Sequence, residues 1–194
     1  KQYTKMTQLV ELKPVTREDV TRIKTWLEDY DVSEAWFGRY TYGDPAHLGY
    51  EPEKMIKASQ SEWNEVFNDP HHEPHRYIFS IYRIKDNMHI GEGQLSIDEA
   101  LGDAQISILI GNKEEWHKGY GTAASLAMLE HIFIHLGLYR AWVDVPEYNS
   151  PAKNMFEHLG FTHEGTLRKS RPHDGARHNS YVFGMLIDEF RKKY

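Results

Sequence analysis

A glycine loop in the second half of the chain reads EEWHKGYGTAAS, from residue 114 to residue 125. Gly119 and Gly121 let the backbone come close to a ligand, because glycine has no side chain to interfere. The sequence from Thr122 onward is typical of a helix, and a helix start presents unpaired N–H groups and the positive end of a dipole. Both properties suit an anion, so the loop indicates a phosphate site.

The loop alone has two competing interpretations. Its glycines can simply make a tight connection from a strand to a helix. Alternatively, GYGTAA matches the dinucleotide fingerprint G-x-G-x-x-G/A, and Asp144 lies about 20 residues further on, where a ribose-binding acid is expected. That fingerprint requires a parallel βαβ unit and a doubly wound sheet, which the roughly 70 residues after the loop are too few to complete.

The segments before the loop predict an antiparallel meander. Its three strand-like runs are residues 77–84, 89–98 and 104–111. Strands joined by turns this short must be antiparallel. Nearer the N-terminus, Thr16 and Asp19 indicate a capped first helix whose apolar periodicity runs to Tyr30. Residues 36–52 read as a loop, and residues 53–67 as one further helix.

The segments after the loop alternate between helices and strands. Residues 122–136 carry one apolar stripe at helical spacing, which predicts a helix. The elements that follow are a strand at 139–145, a short helix at 151–159 and hairpin strands at 161–169 and 180–187. Asp174 and Gly175 are typical of the hairpin turn. This order predicts a mixed α/β (α+β) domain.

Composition narrows the class of protein. The 194 residues are 40% hydrophobic, which is enough for one domain, residues 1–194, with a real core. The mean hydropathy is -0.68, and we expect no membrane-spanning segment. Cysteine is absent, which excludes a thiol nucleophile and fits a reducing compartment such as the cytoplasm. The net charge of -6 argues against a nucleic-acid partner and mildly favours a cationic substrate such as an amine.

Two segments downstream of the glycine loop make its interpretation specific. WHKGYGTAA is followed by NSPAKNMFEHLGF (residues 149–161) and by EGTLRK (residues 164–169). In this order the segments resemble the GNAT superfamily of acetyl-CoA-dependent N-acetyltransferases. The branch they most resemble contains ribosomal-protein N-terminal acetyltransferases and spermidine acetyltransferases. The resemblance covers roughly residues 89–187, and Trp116 stands where Gln or Arg is commonest in the family.

The resemblance implies a GNAT-like fold, with a mixed central sheet of about six to seven strands and flanking helices. Two central parallel strands, residues 104–111 and 139–145, would splay apart to admit acetyl-CoA. The core would span residues 76–187, and residues 16–70 would form a helical substrate-side segment. The implied cofactor-binding residues are Ile108, Leu109, Ile110, Trp116, His117, Lys118, Gly119, Tyr120, Gly121, Thr122, Asn149, Ala152 and Phe156.

The chemistry implied by the resemblance is direct transfer of an acetyl group from the thioester to an amine. Many relatives carry a Glu where this chain has Gln105, and a Tyr where it has Phe156. Gln105 cannot act as a base, so other groups must substitute if the usual proton transfers occur. We therefore consider Glu92 and Ser107, with Gln105, as the catalytic positions. Asp98, Asp144 and Tyr148 are further candidates on neighbouring segments.

Gln105 and Phe156 are also compatible with two alternatives. The acceptor can arrive neutral, because an α-amine has a pKa near 7.7 to 8.0 and needs little help to lose its proton. Alternatively, the domain is a non-catalytic acyl-CoA-binding or sensing module. The expected partner is thus a small amine or a peptide N-terminus, and the resemblance is compatible with a homodimer. No metal is expected, although His71, His72 and His75 are close enough in sequence to raise the question.

Overall fold

The computed structural model describes residues 8–36, 49–69 and 76–194. Seven strands occur within these residues: β1 (Val10–Lys13), β2 (Arg76–Arg83), β3 (Met88–Asp98), β4 (Asp103–Ile110), β5 (Arg140–Pro146), β6 (Thr162–His173) and β7 (Ala176–Leu186). They form one sheet in the order β1-β2-β3-β4-β5-β7-β6. The predicted mixed sheet of six to seven strands is confirmed.

Helices cover both faces of this sheet. Those in the described part of the chain are α1 (Arg17–Leu27), α2 (Tyr30–Trp36), α3 (Pro52–Lys57), α4 (Gln60–Phe67), α5 (Tyr120–Glu130), α6 (Ser150–Leu159) and α7 (Ile187–Lys193). A π-helical turn, His131–His135, continues α5. Among the described residues, no helix is both long enough and apolar enough to cross a membrane.

The centre of the sheet contains its parallel pair, β4 and β5. The two strands pair at three successive positions, which are Asp103 with Arg140, Ala104 with Ala141 and Gln105 with Trp142. Beyond Gln105 they separate, and the edge of β4 from Ile106 onward faces a gap. The predicted splay of the central parallel strands is therefore confirmed.

The two faces of the sheet bury different side chains. On the α5 face, Leu95 and Ile106 pack against Leu126 and Met128 in the largest apolar cluster. On the opposite face, which we call the α1 face, Leu109 packs against α1 and α2. Farther along the α1 face, Ile78 packs with residues of α3 and α4. The alternation of side chains along each strand separates these two sets.

The helical segment before β2 differs from the prediction in two places. The Thr16–Asp19 capping box is present, but α1 ends at Leu27 and a separate helix begins at Tyr30. The single helix predicted over residues 53–67 was wrong, because the chain breaks into α3 and α4. Ser59, which lies inside the predicted helix, is exposed and caps α4 through a capping box with Glu62.

Two elements at the ends of the chain had no counterpart in the prediction. β1 pairs antiparallel with β2, and α7 follows β7. The last hairpin is longer than expected, and its turn is at Asp174 and Gly175, whose φ angles of 47° and 75° suit a two-residue turn. His71, His72, His75 and residues 37–48 of the predicted loop lie outside the described residues.

Candidate functional site

The free edge of β4 presents backbone groups to the gap. The amide of Gly111 donates to the carbonyl of Ile90 at 2.9 Å, which makes Gly111 and Ile90 a hydrogen-bonded pair. Hydrogen-bonded and non-bonded pairs alternate along an antiparallel ladder. Leu109, opposite Glu92, therefore directs its N–H and C=O toward β3, whereas Ile108 and Ile110 direct theirs into the gap.

The glycine loop ends at the start of α5. Gly119 is the N-cap residue with a φ of 88°, a left-handed conformation that favours glycine, and no side chain caps the helix. The first helical hydrogen bond from this end runs from Ala123 N to Gly119 O at 3.0 Å. The N–H groups of Tyr120, Gly121 and Thr122 consequently have no partner inside the helix, as a phosphate site requires.

Trp116 anchors the loop to β4. Its indole Nε1 donates to the carbonyl of Ile110 at 2.7 Å, and the ring packs on Leu109 and its apolar neighbours. The buried Glu115 accepts from Arg83 Nη1 of β2 at 2.6 Å. Lys118 Nζ lies 3.5 Å from the same carboxylate, and about half of its side chain is exposed. Contacts with both β2 and β4 therefore fix the position of the glycine loop.

The second motif forms the opposite wall of the gap. Asn149 caps α6 by accepting from Ala152 N at 3.3 Å, and Gly160 ends the helix with a φ of 106°. Phe156 is buried, and its ring centroid lies 5.1 Å from that of Phe161. Asn149 and Ala152, in the first turn of α6, line the gap together with Ile108 of β4.

Two adjoining cavities follow the gap. One, of about 160 Å³, lies between β4 and β5, and the other, of about 380 Å³, lies along the glycine loop. Residues that line both are Ala35, Ile108, Ile110, Gly121, Asn149, Ala152 and Met155. The two sequence motifs therefore meet at these two adjoining cavities, which together we call the channel.

Several lining residues were not foreseen from the sequence. Met155 lines both cavities, and its spacing of three from Ala152 on α6 was a usable signal. Ala35 reaches the channel from α2 and Arg171 from the last hairpin. No local pattern identifies those two, because only the packing of distant elements brings them to the gap.

The gap is polar where β4 and β5 begin to separate. Gln105, Ser107, Asp144 and Arg171 all line the smaller cavity. Gln105 also lines a neighbouring cavity of about 470 Å³ on the α1 face, together with Trp142. Gln105 thus lies between the channel and an open groove.

Glu92 is enclosed on the α1 face. Its side chain is 1% exposed. The carboxylate accepts hydrogen bonds from Tyr50 Oη at 2.7 Å and from Gln94 Nε2 at 3.1 Å. Burial raises the pKa of Glu92 to about 7, and these two hydrogen bonds offset part of the increase. Glu92 is not among the described residues that line the smaller cavity, whereas Gln105 and Ser107 are.

A second polar cluster lies where α2 meets the last hairpin. His173 Nδ1 and Glu34 Oε2 are 2.6 Å apart, and the His173 ring stacks on Tyr148 with centroids 3.8 Å apart. The Tyr148 hydroxyl is buried and has no hydrogen-bond partner among the described residues. Burial, followed by the nearby Glu34 carboxylate, raises the pKa of Tyr148.

Within residues 8–36, 49–69 and 76–194, no group of three or more His, Asp or Glu side chains is arranged to hold a metal ion. His71, His72 and His75 are not part of these ranges.

Comparison with known proteins identifies the family. The family model described as acetyltransferase (GNAT) domain matches residues 10–162, and the chain belongs to this family. An uncharacterized N-acetyltransferase, p20, from Bacillus licheniformis is 29% identical over 178 residues, which cover 89% of this chain and 96% of that protein. The resemblance seen in the two motifs is confirmed.

Solved structures share the fold. A dodecameric spermidine N-acetyltransferase from Vibrio cholerae has a TM-score of 0.71 at 21% identity, covering 95% of this chain and 98% of that one. A probable acetyltransferase has a TM-score of 0.71 at 18% identity, covering 93% and 94%. The chain is therefore an acyltransferase of the GNAT family that transfers acetyl groups to amines, and the non-catalytic alternative is not favoured.

Proposed function

We propose that this GNAT acetyltransferase moves the acetyl group of acetyl-CoA directly to a primary amine, such as a protein N-terminus, a polyamine or another small amine. The observation that carries the proposal is the gap after Gln105, into which the free edge of β4, the start of α5 and the first turn of α6 all open. These three features fit an elongated thioester whose pantetheine arm leads to a pyrophosphate.

The arrangement supports a division of the cofactor-binding residues into three groups. The backbone of Ile108 and the N–H of Ile110 would pair with the pantetheine arm as an added strand would, since the Ile110 carbonyl already accepts from Trp116. Leu109 fixes β4 through its buried side chain. The N–H groups between His117 and Thr122 would hold the pyrophosphate, aided by the charge of Lys118. Near the thioester, the wall would consist of Asn149, Ala152 and Phe156.

Proton transfer is assigned to the polar end of the gap. An alkylammonium must lose a proton before its nitrogen can attack, and with no cysteine the chain cannot form a thioester intermediate. We assign the proton acceptor to Glu92, whose partner Gln94 is opposite Ser107 in the strand register, because a carboxyl with a pKa of about 7 is matched to neutral pH. The Gln105 amide, which cannot titrate, would orient the acceptor.

The test is release of CoA from acetyl-CoA, detected with a thiol reagent, for spermidine, an aminoglycoside and short N-terminal peptides. The cysteine-free chain contributes no background. We expect turnover with one class and a loss of roughly 100-fold in kcat for Glu92→Gln, the scale of general-base catalysis. Glu65→Gln, on the exposed face of α4, is the matched control.

Acetyl-CoA binding by each variant reports whether the site is still folded. If Glu92→Gln binds acetyl-CoA normally and retains full kcat, the assignment of Glu92 is wrong, although the acetyltransferase is unaffected. If the wild type binds acetyl-CoA and consumes none of the amines, the proposed acceptor class fails.

We further propose that the chain self-associates, as the dodecameric spermidine N-acetyltransferase does. Light scattering on the eluted protein measures the mass directly. A mass equal to the 22.8 kDa of one chain at micromolar concentration would contradict this proposal.

A further inference from the structure

We propose that Asp144, held by Arg171, is the binding group for the acceptor's ammonium, so that the enzyme admits its acceptor as a cation. This inference rests on the proposed function and adds a subsite that recognises positive charge. Asp144 would position the acceptor and determine specificity, whereas Glu92 would accept its proton.

The strand register places Asp144 across the gap from the catalytic positions. Trp142 is the last residue of β5 that pairs with β4, opposite Gln105, and Asp144 follows two residues later on the same face. Val143 and Val145, on the other face, are buried in the main core. Because β4 and β5 have separated by this point, Asp144 lines the smaller cavity together with Gln105 and Ser107.

The two carboxylate oxygens of Asp144 have different surroundings. Oδ2 lies 3.3 Å from Arg171 Nη2, an ion pair in which both side chains are 17% exposed. Oδ1 is buried and has no hydrogen-bond partner among the described residues. A buried carboxylate oxygen without a donor costs free energy, and a ligand that donates to it recovers that cost. Arg171 thus fixes the carboxylate and leaves one oxygen for a donor.

A purely local role for Asp144 is not supported by the turn that follows it. The cap of α6 is Asn149, whose side chain accepts from Ala152 N. The hairpin strand beyond it is tied by Glu147 Oε1, which accepts from Asn179 N at 2.9 Å. Asp144 takes part in neither contact.

The surrounding groups favour an ammonium over other ligands. A primary ammonium has three N–H donors, and the cavity offers the oxygens of Asp144, Gln105 and Ser107 as acceptors. The lining also includes Ala35 and Pro146, which suit the carbon chain of an amine. An anion has no donor for the buried Oδ1 of Asp144 and would leave it without a hydrogen bond.

The experiment measures amine binding without turnover. The protein is saturated with CoA and titrated by calorimetry with spermidine and with the amide of tri-alanine, for the wild type, Asp144→Asn and Asp188→Asn. Asp188 is an exposed acid of α7 and controls for the change in net charge. We expect Asp144→Asn to weaken the Kd of the amine that binds by at least about tenfold, the scale of one charge-assisted hydrogen bond.

The outcomes separate this inference from the proposed function. Acetyl-CoA affinity within about twofold of the wild type verifies that the variant is folded, and Asp144→Glu should recover part of the amine affinity. Amine binding that depends on Asp144 without any acetylation would sustain the subsite and defeat the proposed function. Acetylation with an unchanged KM and Kd in Asp144→Asn, or no binding of either amine to the wild type, would overturn the subsite.

Discussion

On the α5 face of the sheet the buried side chains are almost all aliphatic or aromatic, whereas the α1 face contains a set of buried polar groups. Those groups are Asp19, Ser80, His89, Glu92 and Gln94. Both faces are covered by helices, so burial alone does not account for the difference. The sheet thus uses its α5 face mainly for packing, apart from the Arg83–Glu115 ion pair near the start of α5, whereas its α1 face holds a network of buried polar groups over β2 and β3.

Asp19 is the centre of the polar set. Its carboxylate accepts from Tyr82 Oη at 2.5 Å, from Ser80 Oγ at 2.7 Å and from Arg22 Nη2 at 2.8 Å. Burial alone would raise the pKa of Asp19, but the hydrogen bonds from Tyr82 and Ser80 lower it overall. One carboxylate therefore connects α1 to β2 through hydrogen bonds, which are directional, whereas a hydrophobic contact is not.

His89 shows how the same face keeps a histidine neutral. Nδ1 accepts from Arg22 Nε at 2.9 Å, and Nε2 lies 2.9 Å from the carbonyl of Gly91. Burial lowers the pKa of His89 to about 4 in spite of the nearby Asp19. The α1 face thus contains titratable groups whose protonation states are set by their surroundings.

The largest effect is expected from truncation on the α5 face. Leu126 is fully buried in the main core, and Leu126→Ala should lower the free energy of unfolding by about 4 kcal/mol, since it loses the transfer free energy and leaves a cavity. Urea unfolding followed by tryptophan fluorescence measures the change. Leu101→Ala, at a side chain 70% exposed, should cost almost nothing; equal losses in the two variants would contradict the packing argument.

A smaller effect is expected from the centre of the polar face. Asp19→Asn keeps the shape but removes the charge opposite Arg22 and the bond to Thr16 N, at a cost of about 3 kcal/mol near neutral pH. Because the folded pKa of Asp19 is lowered, its contribution is present above the unfolded pKa and is lost as pH falls through the folded pKa. The difference from wild type in urea unfolding should therefore shrink in acid. A difference that stays constant down to pH 3 would show that the charge of Asp19 does not contribute to stability.

The smallest effect is expected from Glu92, and the pH dependence of its contribution to stability has the opposite sign to that of Asp19. Its folded pKa of about 7 lies above the ordinary value of 4.5, so its contribution to stability is full below pH 4.5 and is lost as pH rises through 7. Between pH 5.5 and pH 8.5 the wild type should lose about 2 kcal/mol relative to Glu92→Gln. Parallel pH profiles of the free energy of unfolding would mean that Glu92 titrates normally.

The sequence alone was sufficient for the features that depend on local spacing. The Gly119 and Gly121 loop before a helix, the Asn149 to Phe161 segment and the meander before them are each specified within a few residues. The backbone conformations that these segments need restrict which residues fit, as the φ of 88° at Gly119 illustrates. Periodicity also located α5, but its buried residues are not confined to the predicted stripe, because Ala124, Ser125 and Met128 are buried as well.

Local spacing was insufficient where distant parts of the chain meet. The break between α3 and α4 escaped prediction because Met55 and Trp63 are buried on both sides of it and mimic one continuous stripe. The free oxygen of Asp144 depends on Arg171, 27 residues later in the chain, and on the separation of β5 from β4. Residue types and short-range patterns are properties of the chain itself, whereas the burial, charge and partners of a side chain depend on which elements pack around it.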